Sequence, residues 1–209
     1  MPPALFPTIT GVILDGGKAS RFGGTHKSFV LVDGGPIAVR TVGLFRELFG
    51  DVLTATTRPA PWAALGVRSV ADPVADAGPL AGLAAGLLAC RTPLAFIVAG
   101  DMPSLSRDVI EALCARALIS RRCVIPIREG RPEPLHAVYP TSLGPMALDA
   151  LNRGTRKLTQ FLEEAGLDEA GLDIDWVDAA EFAGLPGAGR TFQNVNTPED
   201  LDAGAHGPV

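Results

Sequence analysis

Lysine, cysteine, histidine and methionine occur three times each in 209 residues, tryptophan twice and tyrosine once. Cys90, Cys114 and Cys123 are odd in number and share no ligand-like spacing, which argues against a disulfide framework or a structural zinc. Each lies in mainly apolar sequence and reads as a small buried hydrophobe. His26, His136 and His206 enter no Ser–His–Asp or Cys–His set, and His136 reads as a satisfied structural histidine. The longest apolar stretch, Pro79 to Cys90, is interrupted by glycines and too short to span a bilayer. A basic segment followed by an apolar core is lacking at the N-terminus, so a cytoplasmic protein without membrane contact is expected. The net charge of −5 comes with no basic patch, which argues against a nucleic-acid binder. Repeats and low-complexity segments are absent as well.

What is present is the material of one sizeable core. A hydrophobic fraction of 47% over this length fits a single domain spanning residues 1–209, with loose ends at about 1–8 and 204–209. Strand-like runs at Thr10–Leu14, Asp51–Thr56, Val67–Ala71 and Leu94–Ala99 are rich in β-branched or aliphatic residues, as buried parallel strands usually are. Ile37, Thr41, Phe45 and Leu48 recur at helical spacing between the first two of these runs. Further helices are expected over Leu80–Leu88, over Asp108–Leu118 with Ser106 as N-cap, around Pro145–Leu151 and over Arg156–Ala165. Cys123–Ile127, Leu135–Tyr139 and Ile174–Asp178 read as strands, Gly184–Gly189 as a flexible loop, and Pro198–Ala203 as a short terminal helix. The alternation predicts an α/β fold, a three-layer αβα sandwich with a Rossmann-like, mostly parallel sheet. The runs at Cys123 and Leu135 are too close for a helical crossover, so an antiparallel pair makes the sheet mixed.

The first strand empties into Leu14-Asp15-Gly16-Gly17-Lys18-Ala19-Ser20-Arg21-Phe22-Gly23-Gly24-Thr25-His26-Lys27. Glycines let backbone N–H groups close on a compact anion, and the cations supply matching charge, which suits a polyphosphate. It is neither a Walker A loop, because His26 stands where that motif needs glycine, nor a G-x-G-x-x-G fingerprint. Its place after the first strand agrees with ligand binding at the carboxyl ends of strands. Two of the three lysines, Lys18 and Lys27, fall here against fifteen arginines in the chain, although codon bias accounts for the overall ratio. On its own the loop reads better as a strand-to-helix turn with solvated cations.

The spacing Leu-x-Gly-Gly-x-x-x-Arg-x-Gly-Gly-x-x-Lys resembles the signature of nucleotidyltransferases with the nucleotide-diphospho-sugar transferase fold, and most of all the molybdenum cofactor guanylyltransferases. Asp72 with Gly78-Pro79-Leu80-Ala81-Gly82, then Ala99-Gly100-Asp101-Met102-Pro103, then Phe192-Gln193-Asn194-Val195-Asn196-Thr197-Pro198 extend the similarity in order, from Ile9 to about Ala203. The resemblance implies Mg²⁺-dependent transfer of GMP from GTP to the terminal phosphate of molybdopterin or molybdenum cofactor, with release of pyrophosphate. It implies that Leu14, Asp15, Gly16, Gly17, Arg21 and Lys27 surround the triphosphate, with Arg21 at the β and γ groups and Lys27 at the α-phosphate. Asp72, Gly78, Pro79 and Leu80 would border guanine and ribose, and Gly-Pro-Leu-Ala-Gly favours guanine over cytosine. Asp101 would be the metal ligand and a catalytic residue beside Arg21 and Lys27; an acid at a strand end before Pro103 is also a common turn element. Asn194 and Asn196 would face molybdopterin, or serve turn chemistry ahead of Thr197-Pro198. Arg156 and Lys157 would meet its phosphate, or form a solvated helix face. Molybdopterin-synthesis proteins and recipient molybdoenzymes are the implied protein partners. A related enzyme using another nucleotide or acceptor phosphate, or a nucleotide-binding homologue weakened in turnover, are the alternatives.

Three positions depart from the family. Asp15 replaces the usual alanine and would either repel phosphates or add a metal ligand. His26 replaces an aspartate beside the signature lysine and brings a charge that changes near neutral pH. Ala55, between Thr54 and Thr56, stands where an asparagine often reaches the nucleotide.

Overall fold

The computed structural model describes residues 3–16, 27–74, 77–167 and 173–195. Its main sheet runs β10-β7-β9-β6-β1-β4-β5, with β1 Phe6–Asp15, β4 Phe49–Thr56, β5 Arg68–Val70, β6 Leu94–Ala99, β7 Cys123–Arg128, β9 His136–Pro140 and β10 Ile174–Asp178. A short β8, Arg131–Pro132, pairs with β7. β1 lies parallel to both β4 and β6. β9 runs antiparallel to β6 and touches β7 antiparallel at Val124–Val138, so the sheet is mixed as expected. β1 and β6 are buried along nearly their whole length because helices cover both faces. β1 starts at Phe6 rather than Thr10: Phe6 pairs with Phe49 ahead of a register shift, and both join the same apolar cluster.

One face is covered by α1 (Ile37–Leu48) and α4 (Arg107–Ser120), the other by α3 (Pro79–Ala89), α5 (Gly144–Asn152) and α6 (Leu158–Leu167). α1 turns Ile37, Thr41, Phe45 and Leu48 inward at helical spacing. α3 is apolar all round and buried from Leu80 to Leu87, wedged between the sheet and α5. Gly86 sets its distance from β1, since a Cβ there would sit 2.6 Å from Val12 Cγ1. A two-stranded hairpin, β2 (Leu31–Val32) with β3 (Gly35–Pro36), and the short α2 (Ala60–Ala64) complete the described elements. Among the described residues no helix is long and apolar enough to cross a membrane.

Ser106 caps α4 as expected, its Oγ accepting from Val109 N. The same hydroxyl donates to Pro186 O at 2.5 Å, and Ser106 N donates to Thr191 Oγ1 at 2.9 Å. Residues 183–192 are therefore a run of turns packed on the start of α4, with Ala188, Thr191 and Phe192 buried, and not the flexible loop expected from the glycines.

His136 is structural but not satisfied. It is fully buried, edge-on to Phe96 and Phe192 at centroid distances of 5.2 and 4.9 Å, and neither ring nitrogen has a hydrogen-bond partner among the described residues. Burial holds the ring neutral and lowers its pKa from 6.5 to about 3. The unfolded chain takes up a proton below pH 6.5 and the folded chain does not. This contribution to stability is therefore complete above pH 6.5 and is lost as pH falls toward 3, at about 1.4 kcal/mol per unit. His136→Leu is expected to flatten the acid side of the stability curve relative to wild type, with no loss at pH 8. Chemical denaturation at several pH values checks this; parallel curves would show the imidazole to be protonated inside the fold.

Candidate active site

The strand order places a crevice. From β1 the chain steps outward to β4 and β5, then crosses α3 and returns to the other side of β1 as β6. Open α/β sheets bind ligands where the order reverses, outside the carboxyl ends of the strands. Here that point lies between Leu14–Gly16 at the end of β1 and Gly100-Asp101 at the end of β6. The two ends are tied by Gly100 N donating to Leu14 O at 2.9 Å. A side chain at Gly100 would put Cβ 2.3 Å from Ser28 Oγ, so glycine lets Ser28 press against the strand end.

Beside Ser28, Lys27 Nζ lies 3.3 Å from Asp101 Oδ2, with side chains 28% and 20% exposed. A cation and a carboxylate, both reachable from solvent, therefore meet at the switch point. Asp101 is fixed from the other side by Val195 N, which donates to its carbonyl at 2.9 Å and brings the exposed Asn194 to the same edge. Val195 packs with Val32 and Ile37, so this segment arrives from the α1 side of the sheet.

The opposite wall is Asp72 and the start of α3. Asp72 Oδ2 is the heavy atom nearest to where a Cβ on Gly16 would be, at 3.9 Å, so the ends of β1 and β5 converge. Its Oδ1 is buried with no donor among the described residues, and burial raises its pKa above the usual 3.8. Gly78 begins α3 with φ +74°, a left-handed backbone, and as a glycine it offers the helix no side-chain cap. Among the described residues, the positive end of α3 and the buried Asp72 acceptor thus both lack a side-chain partner. Pro79 is exposed at the first turn, whereas the Leu80 side chain is core, leaving only its backbone to face a ligand.

Arg156 is exposed beyond the end of α5. Its Nη1 donates to Leu151 O at 2.8 Å and Thr155 O at 3.0 Å, closing the C-terminal end of α5. Its carbonyl is 3.5 Å from where a Cβ on Gly78 would be, so Arg156 and the exposed Lys157 approach from the α3 side while Asn194 approaches from the α1 side. Gly17, Lys18, Arg21, His26 and Asn196 lie outside the described residues.

Asp15 is held by the protein's own donors. Oδ1 accepts from Ser28 Oγ at 2.5 Å, and Oδ2 accepts from Trp62 Nε1 at 2.7 Å and Thr56 Oγ1 at 3.2 Å. These donors hold a buried carboxylate, which makes it an anchor for Ser28, and through it for Lys27 next in the chain. Ala55 is likewise core, packed beneath Gly82 of α3, and offers the nucleotide nothing. Ser28, Thr56 and Trp62 were not singled out by the sequence. The signal was Asp15 itself, since a carboxylate ending an apolar strand must find donors.

Among the described residues no group of three or more His, Cys, Asp or Glu side chains could cage a metal. Asp101, part-exposed at the end of β6, fits the other way of binding Mg²⁺, by one or two carboxylates completed by substrate phosphates and water.

The sequence model of the MobA-like NTP transferase domain matches residues 11–169. The chain belongs to this family. Among MobA-like relatives, the molybdenum cofactor guanylyltransferase of Burkholderia vietnamiensis is 36% identical, over 97% of this chain and 98% of its own. That of Cupriavidus metallidurans is 35% identical over 92% of both. The fold matches the molybdopterin-guanine dinucleotide biosynthesis protein A of Archaeoglobus fulgidus with a TM-score of 0.75 at 23% identity, covering 93% of this chain and 96% of that one. It matches the 2-C-methyl-D-erythritol 4-phosphate cytidylyltransferase of Thermus thermophilus with a TM-score of 0.63 at 18% identity, covering 92% and 95%. The α/β sandwich with a mostly parallel mixed sheet is therefore the MobA-like architecture, and Lys27 and Asp101 sit at its switch point.

Proposed function

We propose that this MobA-like chain is a molybdenum cofactor guanylyltransferase, transferring GMP from GTP to the terminal phosphate of molybdopterin or its molybdenum form and releasing pyrophosphate. The observation that carries the reading is the Lys27–Asp101 pair, 3.3 Å apart at the crevice between β1 and β6. The names of relatives more than 30% identical along almost the whole chain support the base and the acceptor.

The acceptor phosphate is already anionic, so the site needs no strong general base. Lys27 stabilises the charge that grows on the α-phosphate oxygens as the new P–O bond forms and the bond to pyrophosphate breaks. Ser28, held by Asp15, keeps the lysine at that place. Asp101, with nucleotide phosphate oxygens, would hold Mg²⁺, which supplies further neutralisation of the transferring phosphoryl group. Asp72 Oδ1 takes a donor from the nucleoside, and the start of α3 faces the same ligand.

Pyrophosphate release from each nucleoside triphosphate with Mg²⁺ and purified molybdopterin tests the reading. Turnover with GTP supports it; turnover only with CTP or only with a sugar phosphate assigns the chain to a related reaction. GTP is also expected to raise the melting temperature more than ATP or CTP, by the equivalent of about 2.7 kcal/mol at a hundredfold excess over Kd. Equal or greater stabilisation by CTP would overturn the choice of base drawn from Gly78–Gly82.

A further inference from the structure

On the α1 side of the crevice lies a cavity of about 380 Å³, between α1, the loop Pro103–Leu105 and the turn at Gly187–Arg190. That is the size of a small-molecule site. Nothing in the handling of the nucleotide uses it. We propose that this cavity receives the fused heterocycle of the acceptor, a flat 2-amino-4-oxo pterin, while the acceptor's phosphate reaches Lys27 and Asp101; the inference rests on the guanylyltransferase reading.

Four observations carry it. First, Arg40 holds its place with two contacts, Nη1 to Asp33 Oδ2 at 3.3 Å and Nη2 to Pro103 O at 2.9 Å, but its Nε is buried with no partner among the described residues. A buried donor without an acceptor is costly, and an oxygen or ring nitrogen of a ligand would satisfy it. Second, Asp33 stands at the same wall, fixed by a hairpin turn in which Asp33 and Gly34 both have left-handed backbone, φ 49° and 84°. A carboxylate beside a guanidinium matches the edge of a 2-amino-4-oxo ring, whose N–H groups need an acceptor and whose carbonyl needs a donor. Third, Arg190 is exposed and enters no ion pair among the described residues, so two guanidiniums against one carboxylate leave the cavity cationic for an anionic ligand. Leu44 and Leu105 give the ring faces an apolar wall.

The fourth observation is position. Pro103 is two residues past Asp101, at most about 7 Å of chain. The other wall, at Arg190, leads directly into Asn194, and Val195 is bonded to Asp101. A ligand seated here therefore adjoins the reacting phosphate from the side opposite Asp72 and Gly78. Guanine carries the same amide edge as a pterin, so the test has to separate the two.

Arg190→Ala and Arg190→Lys are made in the full chain, and binding isotherms are measured separately for molybdopterin and for GTP. Losing one charge-assisted contact is expected to weaken molybdopterin by about 10- to 100-fold in Arg190→Ala. Arg190→Lys is expected to recover part of the loss, and GTP affinity to stay unchanged in both. The same fold-change should appear in KM for molybdopterin during pyrophosphate release. If wild type binds molybdopterin and Arg190→Ala binds it equally well, the cavity assignment falls while the guanylyltransferase reading stands. If the loss appears in GTP instead, the cavity holds guanine and the inference is overturned. Absence of molybdopterin binding and turnover in wild type would overturn the acceptor itself, and this site with it.

Discussion

Lys27→Ala should lower kcat by about 10²–10³, the usual effect of removing one preorganised donor aimed at developing charge, equivalent to about 2.7–4 kcal/mol. The fold should survive it. The Lys27–Asp101 pair is part-exposed, and ion pairs of that kind contribute roughly 0–1 kcal/mol. The melting temperature without nucleotide is therefore expected to stay within a few degrees of wild type. KM for GTP should change less than kcat, because the contact strengthens as the α-phosphate gains charge. Steady-state pyrophosphate release alongside a thermal scan reads both quantities. Normal turnover would remove Lys27 from the reacting centre and leave Asp101 without its cationic neighbour in the mechanism.

What the sequence made legible follows from the range of the interactions involved. β6 and β10 have the expected bounds, Leu94–Ala99 and Ile174–Asp178: β6 is a short apolar run stopped by Gly100-Asp101, and β10 sets Ile174, Trp176 and Val177 between aspartates. The hairpin β2–β3 was overlooked although Asp33-Gly34 is its turn signal, since two-residue strands leave no periodic pattern. α2 escaped for the same reason, being five residues long with Pro61 inside. The packed turns at 183–192 looked loose because their order comes from Ser106, 80 or more residues away. Motif spacing was enough to bring Lys27 and Asp101 together. It could not show what holds them, since the donors to Asp15 lie 13, 41 and 47 residues further along the chain. Asp15 was legible as unusual but not as an anchor. That Asp72 Oδ1 and the His136 ring find no partner among the described residues was likewise beyond any one-dimensional pattern, because only folding decides which polar atoms end up without water.

Asp101→Asn and Asp15→Asn should separate a metal ligand from a structural carboxylate. Both exchanges keep shape and remove one charge. At Asp101 the expected result is loss of the saturating rise of turnover with Mg²⁺, together with a fall in kcat of about 10²–10³, because charge neutralisation at the phosphates is worth several kcal/mol. At Asp15 the carboxylate accepts from Ser28, Trp62 and Thr56, and an amide would turn an NH₂ group toward one of those donors. The cost there is one charged hydrogen bond, about 1.5–3 kcal/mol, and it should appear as a lower melting temperature. Some kcat should go with it, since Ser28 adjoins Lys27, but the Mg²⁺ concentration giving half-maximal rate should not move. Titrating Mg²⁺ against pyrophosphate release in wild type and both variants distinguishes the roles. A shifted midpoint in Asp15→Asn with an unshifted one in Asp101→Asn would transfer the metal to Asp15, and would mean that its donors let go when nucleotide binds.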